Sequence, residues 1–145
     1  MVNVPGEQLP DDMEGVVPES LDHEGVDAAV MLSFGPVIPG REALAVDLFT
    51  EVGQVLGRLM DAGTITGFRP YFYADGLAGD VSGFFLLHGR RPRLDELRRD
   101  EGFTALVLRV GAAVGNVRAQ SLVAGSGAGR MVNLYREIRQ DLGLL

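Results

Sequence analysis

The stretch Thr64–Gly89, TITGFRPYFYADGLAGDVSGFFLLHG, decides the fold. Its first part, Thr64–Ala74 (TITGFRPYFYA), is rich in aromatic and β-branched residues. Such residues suit a pleated, half-buried surface, so a strand is expected there. Its last part, Val81–Gly89 (VSGFFLLHG), is expected to be a second strand. Between them, Asp75-Gly76-Leu77-Ala78-Gly79-Asp80 carries turn chemistry, which makes the two strands a hairpin. Pro70 has no N–H to give to a ladder, which places its strand at a sheet edge or a bulge.

On the N-terminal side the period changes. Leu44, Leu48, Val52, Val55 and Leu59 recur at spacings of three and four, so Arg41–Ala62 is expected to be an amphipathic helix. Glu42 sits in its first turn, where the helix dipole favours an acid, and Gly63 is placed to end it. Gly53 and Gly57 fall on one face of this helix and suggest a close approach to a neighbouring backbone. Before it, Ala28–Val37 (AAVMLSFGPV) is a short apolar run closed by Gly and Pro, and reads as a strand.

On the C-terminal side, Leu94–Val114 is helical in character, with a break expected at Gly102. Phe103, Leu106, Val107, Val110 and Val114 form its apolar stripe. Asn116–Ala124 (NVRAQSLVA) is expected to be the fourth strand. Gly125–Gly129 reads as a flexible link, and Met131–Leu142 as a terminal helix with Leu134, Tyr135, Ile138 and Leu142 on one side.

The resulting order, β-α-β-β-α-β, implies an α+β, ferredoxin-like antiparallel sheet with its helices on one face and a further C-terminal helix. Side chains alternate along each strand. The apolar set, with Phe68 and Phe72, should face the helices. Arg69, Tyr71, Tyr73, Arg118 and Gln120 then share the open face, joined by His88 and by Ser33 or Phe34. Strand three is apolar on both faces, so its phase stays undecided. A sheet face of this kind is not left in water, and the simplest cover is a second copy across a two-fold axis. The space between could hold a small organic ligand.

The charge of −7 is unevenly placed. Residues 1–27 hold Glu7, Asp11, Asp12, Glu14, Glu19, Asp22, Glu24 and Asp27 and no base, with Pro5, Pro10 and Pro18. They read as a flexible acidic arm. Residues 28–125 form the domain, and 126–145 the glycine-rich link and last helix. The remainder is nearly neutral, which argues against nucleic-acid and anionic-membrane partners. All 13 basic residues are arginine, read as the mark of a GC-rich bacterial genome. Without lysine, neither a Schiff base nor a P-loop is available. Without cysteine, disulfides and thiolate chemistry are excluded. No secretory signal or membrane span is read, so a cytoplasmic location is expected.

Gly83–Phe103, GFFLLHGRRPRLDELRRDEGF, runs from a strand through a turn into a short helix, and Asp100-Glu101-Gly102-Phe103 opens another. In this rhythm and in its topology, Ala28–Gly125 resembles the dimeric α/β-barrel superfamily, which includes antibiotic-biosynthesis-type monooxygenases, EthD-like proteins and YCII-related proteins. The resemblance implies a homodimer with a ligand cleft beside the sheet. It also implies, as one possibility, a cofactor-independent monooxygenase or isomerase acting on an aromatic or polyketide-like substrate. The His–Asp pair associated with YCII-like proteins does not carry over, because neither Asp75 nor Asp80 stands at a matching spacing from His88.

His88 is the one histidine outside the arm and the natural acid–base candidate. Arg69, Tyr71, Tyr73, Arg118 and Gln120 are the candidate ligand contacts: tyrosine hydroxyls donate to a carbonyl or phenolate, and arginine forks onto a carboxylate. No metal site is expected, since His23 and His88 stand apart and Asp75 and Asp80 lack the spacing of a calcium loop. No cofactor is expected either. Gly125–Gly129 lacks the pattern of a phosphate cradle.

Overall fold

The computed structural model describes residues 26–144. The acidic arm expected over residues 1–27 lies outside them except for Val26 and Asp27. Val26 is buried, and the Asp27 carboxylate accepts a hydrogen bond from the backbone N–H of Arg91 at 3.0 Å.

The elements follow in the order β1 (Ala28–Phe34), α1 (Glu42–Asp61), β2 (Gly67–Phe72), β3 (Gly83–Gly89), α2 (Arg91–Arg99), α3 (Glu101–Val110), β4 (Arg118–Val123) and α4 (Gly125–Asp141). The strands form one four-stranded antiparallel sheet in the order β2-β3-β1-β4, giving an α+β fold. Pro70 sits on β2, at the sheet edge, where a missing donor costs no ladder bond. The β2–β3 hairpin is closed by a turn in which Ala78 and Val81 bridge.

The core lies on one face of the sheet. Ala28, Val30, Leu32 and Phe34 of β1 and Phe85 and Leu87 of β3 pack with Ala45, Leu48, Val52 and Leu56 of α1, Leu94 and Leu97 of α2, and Phe103, Leu106 and Val110 of α3. Phe68 packs against this cluster, and the Phe72 ring lies 5.7 Å from that of Phe34. Both point to the helix side, as the alternation requires. Phe72 nevertheless stays 64% exposed, because it ends the edge strand.

Four local expectations are corrected. The buried stripe of α1 is rotated: Ala45 and Leu56 are buried while Leu44 is 43% exposed. A Cβ added at Gly53 or Gly57 meets nothing within 4 Å, so no backbone approaches them. The break between α2 and α3 falls at Asp100, not Gly102. Asp100 takes extended backbone, and its carboxylate accepts from the Phe103 N–H at 2.9 Å, capping α3. Finally, Gly125–Gly129 is the first part of α4 rather than a link. Gly127 is buried directly against the carbonyl of Asp27, a place only glycine fits.

Along α4, Met131, Leu134, Tyr135 and Ile138 remain exposed, as does Leu142 at its C-terminal cap. Among the described residues, no helix is long and apolar enough to cross a membrane.

Candidate functional site

Strand pairing settles the phase of β3. Leu32 stands opposite Phe85, so Phe84, Leu86 and His88 point to the face away from the helices. That face is a grid of three rows. Gly67, His88, Ala29 and Leu122 form the first row. Arg69, Leu86, Met31 and Gln120 form the second, and Tyr71, Phe84, Ser33 and Arg118 the third. None of these side chains belongs to the core cluster.

All six candidates are therefore on or beside one surface, but not in one cluster. Arg69 and Tyr71 lie on β2 and His88 on the neighbouring β3, and Tyr73 follows β2 directly. Arg118 and Gln120 stand on β4, at the opposite edge of the sheet, three strand spacings or about 14 Å from β2. Ser33, not Phe34, is the contribution of β1. Phe84, Leu86 and Met31 are part of the surface as well, and only the register could single them out.

The β2–β3 half is aromatic. The Tyr71 and Phe84 rings are 5.2 Å apart and tilted by 30°, and the Tyr73 ring meets Phe84 edge-on at 6.2 Å. Tyr71 and Tyr73 are about two-fifths exposed, leaving ring surface free. His88 is buried at 9% exposure. Burial lowers its pKa below the ordinary value of 6.5, and the nearby Arg69 guanidinium lowers it further. Both effects favour the uncharged imidazole over the imidazolium. Arg118 has a carboxylate partner, Asp80, at 3.5 Å. No acid lies within ion-pair distance of Arg69 among the described residues.

Among the described residues, three clefts lie away from this face. One is lined by Asp27, Arg91, Arg130 and Leu134, one by Gly63, Thr64, Arg90 and Arg93, and one by Ile38, Leu108 and Val117. None of the three is lined by His88, Arg69, Tyr71 or Tyr73. No group of three or more potential metal-ligating acids and histidines occurs among the described residues.

No family model matches the chain. No curated protein matches it. Among solved structures it is similar to the crystal structure of methylated RPA0582 protein, with a TM-score of 0.44 and 16% sequence identity. That match covers 82% of this chain and 94% of the other.

Proposed function

We propose that the protein is a ferredoxin-like, dimeric α/β-barrel-type homodimer that binds a small organic ligand between the sheet faces of two copies. The strand order β2-β3-β1-β4, antiparallel throughout, supports this reading. The observation that carries it is the face opposite the helices, where Tyr71, Phe84, Leu86, Met31 and Leu122 stand outside the core. An apolar surface rimmed by polar groups is the usual form of an interface. In one chain Arg69 and Tyr71 at one edge of this face and Arg118, Gln120 and Leu122 at the other stay exposed, and a second copy completes the cleft. His88, Arg69, Tyr71, Tyr73, Arg118 and Gln120 are its ligand-facing groups.

The chain lacks cysteine, which makes a direct test clean. Met31→Cys places a single thiol in the middle row of the face, next to Leu86 and Gln120. A short bismaleimide joins two such chains if the faces pair. Thr50→Cys, on the exposed surface of α1, serves as the control. Cross-linking of both variants alike, or of neither, contradicts the proposal.

The buried His88 favours a second reading: a cofactor-independent monooxygenase or isomerase acting on an aromatic or polyketide-like substrate. In its proton-transfer step the imidazole takes a proton from the carbon beside a substrate carbonyl, leaving an enolate and an imidazolium. Arg69 faces the negative charge that develops. Loss of turnover in His88→Ala with ligand binding retained supports this reading. Unchanged turnover removes it.

A further inference from the structure

The twelve strand positions of the open face carry two guanidinium groups, Arg69 and Arg118, and no carboxylate. Arg118 is answered by Asp80, whereas Arg69 has no acid partner among the described residues. In water this costs little. Closing two such faces on each other removes the water and brings two Arg69 guanidinium groups, unpaired among the described residues, into a shared interior. Burying an unpaired charge is expensive unless a counter-charge comes with it.

Geometry narrows the counter-charge. Arg69 and Tyr71 are two residues apart on one face of β2, about 6.6 Å along the strand. Tyr71, Phe84 and Tyr73 form a shelf of rings beside it. A single planar guanidinium matches a carboxylate, whose two oxygens take two parallel N–H donors. A ring attached to that carboxylate falls on the shelf, where offset or edge-on contact with Tyr71 and Phe84 is favourable.

Resting on the paired-face reading above, we propose that the cleft takes an aromatic carboxylate, its anion on Arg69 and its ring against Tyr71 and Phe84, and that this ligand tightens the dimer. A ligand that binds only the paired state stabilises it by mass action.

Benzoate is the probe, with benzamide as its uncharged near-isostere, both at matched ionic strength. Sedimentation velocity of the full chain gives the dimer dissociation constant. Benzoate is expected to lower it saturably by about tenfold, the scale of one charge-assisted pairing, while benzamide has little effect. Arg69→Gln abolishes the benzoate response. Arg58→Gln, on the exposed side of α1, keeps it. Equal responses to benzoate and benzamide, no response to either, or a full response in Arg69→Gln overturns the proposal while leaving a dimer standing. A chain that is monomeric in every condition overturns the paired-face reading along with it.

Discussion

His88 and Arg69 share one face of the β2–β3 pair, one register step apart: Gly67 stands opposite His88, and Leu86 opposite Arg69. Burial and this neighbouring cation both hold the imidazole below its ordinary pKa of 6.5. As pH falls, the unfolded chain therefore takes up the proton first, and the folded chain only at lower pH. Stability is unaffected by His88 well above pH 6.5, declines as pH drops below it, and levels off beneath the folded value. Urea denaturation between about pH 7.5 and 5.5 should show the wild type losing stability relative to His88→Gln. Parallel pH dependences would contradict the environment described for His88.

The sequence made this face legible for a simple reason. β2 and β4 alternate clearly, so Arg69, Tyr71, Arg118 and Gln120 fall together. β3 does not alternate, because Phe84 and Phe85, then Leu86 and Leu87, are apolar in pairs. Only pairing with β1 decides between them. The Gly125–Gly129 stretch hides a helix start because glycine is read first as flexibility. Here Gly127 serves close packing against Asp27, a long-range contact no local pattern reveals. The α2–α3 break is set by the Asp100 cap, and Gly102, two residues on, is the more conspicuous local signal. The apolar pattern of α1 does not mark its buried stripe, because Leu44 is apolar yet exposed, while the small Ala45 is buried.

Glycine substitutions in the helices should separate by environment. Gly127→Ala drives a methyl into the Asp27 carbonyl and should destabilise by about 1–3 kcal/mol. Gly53→Ala and Gly57→Ala, with open space at the new Cβ, should each stabilise by about 0.5–1 kcal/mol through reduced freedom of the unfolded chain. Denaturant midpoints at constant slope measure all three. A neutral Gly127→Ala would mean that α4 is not seated on Asp27.

Asp27 and Asp100 each satisfy a helix start. Asp27 accepts from Arg91 N–H at the head of α2, and Asp100 from Phe103 N–H in α3. Replacing either by alanine should cost about 1 kcal/mol. Asp27 also faces Arg130 of α4 at 3.4 Å, so its loss should additionally loosen that helix. Amide hydrogen exchange in α4 should rise in Asp27→Ala and stay unchanged in Asp100→Ala. The same exchange pattern in both variants would refute the distinction.

Leu86 stands in the middle row of the face opposite the helices, between Arg69 and Met31. It touches nothing in the core, so its replacement by glutamate should spare the fold and strike only a surface that meets its own copy. Sedimentation equilibrium of the wild type beside Leu86→Glu measures this directly. Twice the chain mass for the wild type and a folded single chain for Leu86→Glu is the expected result. A wild type that remains a single chain across the micromolar range, or a Leu86→Glu variant that still doubles, would contradict the account.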